Sequence, residues 1–149
     1  MALSTESDFR LLPKFLLSKR AIINPQNNDH RSFGYAIMFA LHPNDWRFYR
    51  TKPHLDINFE KHRLDKLKYP VLLNDVSACE EELNIRINVF TFDDPAGMKR
   101  HSLYISKKFK PDEVNLLYWD GRYALIKYLS RLFSDVRKYV LYGINVDIF

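Results

Sequence analysis

Asp29-His30-Arg31-Ser32-Phe33-Gly34-Tyr35-Ala36-Ile37-Met38-Phe39-Ala40-Leu41-His42 turns midway from a polar loop into an apolar helix. Phe33, Ile37, Met38 and Leu41 recur at helical spacing, and Ala36, Phe39 and Ala40 fill the other faces. A helix apolar nearly all round has to be buried. The spacing therefore predicts a central helix from about Ser32 to Leu41 with elements on several sides. Gly34 costs helix propensity but lets a neighbour come close. His42-Pro43 ends the helix, because a residue before proline avoids the helical region. Ser32, at the helix start, reads in two ways. It is an N-cap, or it is a nucleophile favoured by the helix dipole and by free N–H groups that would also form an oxyanion hole.

Outward from this helix the signals alternate. Residues 1–10 read as a flexible arm, and Lys19 to Ile23 ends as a short extended piece. Asn24 to Asp29 is dense in turn formers and reads as a loop. Asn44 to Leu67 mixes Trp46, Phe48 and Tyr49 with Arg47 and Arg50, and reads as a surface segment sealing the core with its aromatics. Asn74 to Leu83 reads as a helix with Val76, Cys79 and Leu83 on one face and a capping-box spacing between Ser77 and Glu80. Asn84 to Phe92, Leu103 to Ser106, Val114 to Trp119 and Tyr123 to Lys127 read as strands, with Asp120-Gly121 a strong hairpin signal. A last helix starts near Leu129 and reaches Val140, and residues 143–149 form a tail. Helices segregated from a meander of about four strands argue for an α+β fold, a buried central helix on a mostly antiparallel sheet.

The bulk numbers fit one domain over residues 11–142. The 149 residues are 46% hydrophobic and 15% aromatic, with a formal net charge of +5. That charge permits a nucleic-acid partner without requiring one. Cys79 is the only cysteine, so an internal disulfide and a cysteine-based zinc site are excluded. The chain carries no Walker loop and no dinucleotide fingerprint. Glu80-Glu81-Glu82 does not read as a metal site, since consecutive helical positions do not converge. Neither metal nor cofactor is expected. No apolar run approaches the ~18 residues of a membrane span, and no signal peptide is evident. A cytoplasmic or nuclear protein is the expectation.

Two stretches together resemble the ovarian-tumour-type (OTU) cysteine proteases. Asp29 to Ile37 resembles their nucleophile motif, where an Asp precedes by three residues the Cys that opens the central helix. Val114 to Ile126 resembles their closing strands, where the second strand starts with His and an aromatic. The order of Lys19–Leu41, Tyr69–Phe90 and Val114–Phe133 is also similar to a domain of Polinton/Maverick-type mobile elements and adintovirus-like sequences that often precedes a family B DNA polymerase. The resemblance implies an OTU/papain-like fold over roughly residues 11–134. It makes Ser32 the nucleophile position, Arg122 the position of the expected His, and Asp29 part of the oxyanion loop.

The chain departs from that pattern where catalysis is most demanding. Serine is far harder to ionise than cysteine without a paired base. Arginine stays protonated and cannot be that base. Three readings follow. One is an inactive OTU-like module from a virus or mobile element that binds a ubiquitin-like tail or nucleic acid. Another is an active peptidase or deubiquitinase captured as a Cys-to-Ser variant, with His30 or His101 replacing the missing base. His42 lies about 15 Å along the helix at ~1.5 Å rise per residue and is too far. The third is a DNA-binding accessory protein using Lys99, Arg100, Lys107, Lys108 and Lys110 against phosphates.

Overall fold

The computed structural model describes residues 9–43, 52–92 and 100–132. Trp46, Phe48, Tyr49, most of the last helix, and the 143–149 tail fall outside these residues. Among the described residues, five helices and a five-stranded sheet make an α+β architecture. In chain order these are α1 (Lys14–Leu17), β1 (Ile22–Ile23), α2 (Ser32–Leu41), α3 (Lys52–Lys61), α4 (Val76–Leu83), β2 (Arg86–Phe92), β3 (Arg100–Tyr104), β4 (Glu113–Trp119), β5 (Arg122–Ile126) and α5 (Leu129–Leu132). Single 3-10 turns at Leu64–Lys66 and Leu73–Asp75 join α3 to α4.

The central helix forms where its spacing predicts it. Phe33, Ala36, Ile37 and Met38 are fully buried. They pack on Ile87, Val89, Val114, Leu116, Tyr123 and Leu125, which point to one face of the sheet. Gly34 has a packing reason. A methyl there would stand 2.6 Å from the Tyr69 hydroxyl and 2.7 Å from the Phe59 ring. Both rings are fixed, because Tyr69 donates to the Leu64 carbonyl at 2.9 Å and Phe59 is buried. Helix α3 lies in the expected surface segment and is mostly exposed, with the Phe59 ring sealing the core. Its described residues offer few apolar positions, chiefly Leu55 and Phe59, which meet α2 at helical spacing.

The sheet order is β1-β5-β4-β2-β3. This corrects the meander: β2 and β4 pair in parallel, Ile87 opposite Val114, while β3 pairs antiparallel on the outer side of β2. The short piece at Ile22–Ile23 becomes a fifth strand, antiparallel to β5. The turn between β4 and β5 forms as its Asp-Gly signal predicts, with Asp120 at φ 53° and Gly121 at φ 76°. Two left-handed residues suit the tight primed hairpin.

A second, smaller core covers the opposite face, where Leu12, Leu16 and Leu132 pack on Phe90, Phe92, Leu117, Ala124 and Ile126. With both faces covered, every residue of β5 is buried, as a two-sided strand must be. The last two residues of the expected arm are docked rather than loose. The Phe9 ring lies under the Arg122 guanidinium, and Arg10 pairs with Asp120 at 2.9 Å. Among the described residues no helix is long and apolar enough to cross a membrane.

Candidate functional site

The entry loop of α2 is shaped by its own amides and one carboxylate. The Asn27 side-chain amide donates to the Asp29 carbonyl at 2.8 Å and to its carboxylate at 3.0 Å. That carboxylate also accepts the Arg31 N–H at 3.1 Å and the Tyr35 hydroxyl at 2.7 Å. Asp29 is therefore a turn-builder of the kind that lets Asn and Asp replace a backbone turn. Burial and, second, the bond to Asp29 push the Tyr35 hydroxyl above the ordinary tyrosine range.

Ser32 is fully buried, and its Oγ accepts the Tyr123 backbone N–H at 2.9 Å. It is the first helical residue. The residue ahead of it, Arg31, makes no side-chain cap. The capping role is thus corrected: the N-cap position falls to Arg31, and the Ser32 hydroxyl fastens the helix start to β5. Arg122, one residue before Tyr123, is 3% exposed. One of its terminal nitrogens donates to the Pro25 carbonyl at 2.5 Å and the Asn27 side-chain oxygen at 2.7 Å. The other donates to the Asn27 carbonyl at 3.3 Å. A planar guanidinium suits such a fork of acceptors.

The structure thus brings the Ser32 and Arg122 positions together, since the residue that Ser32 holds is the chain neighbour of Arg122. Of the two expected replacement bases, His30 is exposed in the loop while Ser32 is buried. His101 lies on β3, three strands from β5, or about 14 Å at ~4.8 Å between strands, beyond the hydrogen-bond reach that a general base needs. Cys79 is buried, and burial together with Asp75, Glu80 and Glu82 pushes its thiol up to about 12. It is packing.

Two of the expected basic positions converge on one carboxylate. Lys108 pairs with Glu81 at 2.8 Å, and Lys110 approaches the same carboxylate at 3.7 Å. Lys107 is exposed, while Lys99 and the Arg100 side chain fall outside the described residues.

Sequence reasoning missed the cleft that these contacts support. A cavity of about 360 Å³ lies between the 24–29 loop and the wall made by Tyr35, Phe39 and Leu55. Arg122 props the loop from within, and the cleft opens on its outer side. The run of amides in the loop was the available signal, yet turn formers carry no sign of which side faces a cavity.

It missed a histidine pair as well. His42 and His62 meet beyond the C-termini of α2 and α3, their Nε2 atoms 2.9 Å apart. Burial, then His42 and Lys61, hold the His62 imidazole below its usual 6.5. Arg63 lies beside this pair but is engaged by Glu82 at 2.7 Å, and Asp112 borders the same hollow. The folded chain thus takes up a proton at His62 less readily than the unfolded chain. The stability linked to His62 is full above pH 6.5 and declines as the pH falls toward the lowered value. Urea midpoints at pH 7.5 and 5.5 check this: the wild-type decrement should shrink in His62→Ala, and an equal decrement in both proteins would contradict it.

No protein-family model, curated protein or solved structure matches the chain.

Proposed function

We propose that this domain is a catalytically inactive OTU-like module that works by binding a protein partner through the cleft beside the 24–29 loop. The observation that carries the reading is the burial of Ser32, with its hydroxyl accepting the Tyr123 N–H. A nucleophile has to reach its substrate and a base, and this side chain is turned into the sheet. Arg122, at the position of the expected base, braces the loop. The cleft beyond that loop combines backbone-like amides of Asn24, Gln26 and Asn28 with the apolar edge of Tyr35, Phe39 and Leu55. Amides beside an apolar wall suit an extended polypeptide such as a ubiquitin-like tail. The nucleic-acid reading gains less support, because Lys108 and Lys110 share the carboxylate of Glu81.

The test is paired. Ser32→Cys and Ser32→Cys/Arg122→His are exposed to a ubiquitin-based thiol-reactive probe, with Ser32→Ala as the background. Neither variant should label above that background. Labelling of Ser32→Cys alone would overturn the inactive reading by showing residue 32 within reach of a substrate. Isotope-labelled wild type is then titrated with ubiquitin, and backbone shifts should gather in residues 24–29. Absence of any shift overturns the ubiquitin-like partner and makes salt-dependent DNA binding the next measurement.

A further inference from the structure

We propose that His42 and His62 form a two-histidine site for a divalent transition cation of the Zn2+ class, completed by water. The site stands apart from the cleft and from Ser32. The two rings come from the ends of different helices and converge through Nε2 at 2.9 Å, with centroids 5.0 Å apart and planes at 69°. Such convergence fits ligation closely. Zinc–imidazole bonds of ~2.0–2.1 Å in tetrahedral geometry set the two nitrogens roughly 3.3 Å apart. The rings then have to part by only about 0.4 Å, less than a rotamer change.

The proton chemistry also fits. A bond between two neutral imidazoles needs one Nε2 to donate and the other to accept. For both Nε2 atoms to hold a metal, the donor ring moves its proton to Nδ1, and no proton is released. A hollow of about 360 Å³ beside His62, bordered by Asn84 and Asp112, gives room for the water ligands. The charges facing the pair are mixed. Lys61 opposes a cation, whereas Arg63 is held by Glu82, and Asp112 supplies a carboxylate at the rim. Two protein ligands are fewer than the three or four of established zinc sites, and among the described residues no third His, Cys, Asp or Glu groups with the pair, so water has to fill the remaining positions. The proposal departs at this one place from the expectation, read from sequence, that no metal is bound. Nothing in the spacing of His42 and His62, twenty residues apart, signals that they meet.

The full chain is titrated with Zn2+ by calorimetry at pH 7.5, alongside His42→Ala, His62→Ala and, as a control on α3, His54→Ala. One ion per chain is expected. Affinity should fall in each pair variant by more than the ~10–100-fold that loss of an outer-shell partner costs, and hold in His54→Ala. Saturable binding that survives both pair substitutions, or no binding by wild type, overturns the site. Because either substitution removes a contact between helices, a second readout uses wild type alone. Imidazole nitrogen resonances are followed as Zn2+ is added. The Nε2 signals of His42 and His62 should move together, with both rings ending protonated at Nδ1, one of them by the tautomer shift; signals that do not move reject the proposal.

Discussion

Arg122→Ala lowers the unfolding free energy by about 3 kcal/mol or more, seen as a fall in the urea midpoint at pH 7 with an unchanged denaturant slope. Hydrogen bonds to charged groups contribute ~1.5–3 kcal/mol each, and this guanidinium makes two short ones. Removing it leaves the Pro25 carbonyl and the Asn27 side-chain oxygen without the donor they share, at a position where Arg122 is only 3% exposed. Arg122→Lys recovers only part of the loss, since an ammonium is a point donor and cannot serve both acceptors in the same fork. Arg131→Ala, whose guanidinium sits at the surface over Tyr128, should change stability by less than about 0.5 kcal/mol. A loss below 1 kcal/mol in Arg122→Ala would mean that the loop does not need its prop, and the account of the cleft would fall with it.

Glu80→Ala is expected to cost about 3 kcal/mol by the same measurement, although its neighbours in sequence are also glutamates. Glu80 is fully buried. One carboxylate oxygen accepts the Ile87 N–H at 2.9 Å, at the start of β2, and the other accepts the Tyr104 hydroxyl from β3. Ser77 also hydrogen-bonds that hydroxyl. The side chain thus joins α4 to two strands. Truncation leaves a buried backbone donor without its acceptor, which costs ~1–3 kcal/mol, and adds a cavity. Glu80→Gln keeps the shape and an acceptor for Ile87, so its cost should be about 1 kcal/mol. Glu81→Ala, on the exposed face, should stay within about 0.5 kcal/mol of wild type. Equal effects at positions 80 and 81 would refute the assignment.

These two residues mark where sequence reading ends. The central helix was legible because burial on all sides leaves few polar letters to confuse the 3.6-residue period. The hairpin was legible because Asp120-Gly121 names its own backbone geometry. Glu80 was not, since three identical letters differ only in helical phase. The capping box expected for Ser77 and Glu80 does not form either. The helix starts at Val76 after a 3-10 turn, and no side chain caps it. Glu80 reaches forward to β2 instead. Arg122 was legible only as the position where the resemblance expects a His. In the structure Asp120 takes Arg10, and Arg122 is buried against a loop whose position no local pattern encodes. Strand partners were hidden for the same reason. Alternation in β2 and β4 specifies which side chains face the core, and parallel pairing follows only from how the chain crosses between them.

The candidate site was legible as a set of positions and not as a chemistry. Ser32 and the start of β5 do come together, but the serine hydroxyl points to a strand N–H and the loop carboxylate of Asp29 builds a turn. The cleft and the histidine pair depend on tertiary placement of α3, which its sparse apolar positions left unread.

The seam between α2 and β5 has a consequence for the order in which the chain is made. Ser32 and Tyr123 are 91 residues apart, and Pro25 and Arg122 are 97 apart. At ~5–20 residues per second on the ribosome, the loop and the helix start wait roughly 5–20 s for the strand that completes them. During that interval the apolar faces of α2 and the amides of β1 have no β5 to meet. The growing chain exposes a greasy helix and an unpaired edge, the two features that chaperones capture. Among the described residues β5 is the last strand to emerge, and its two faces belong to the two cores, so both wait for the same strand.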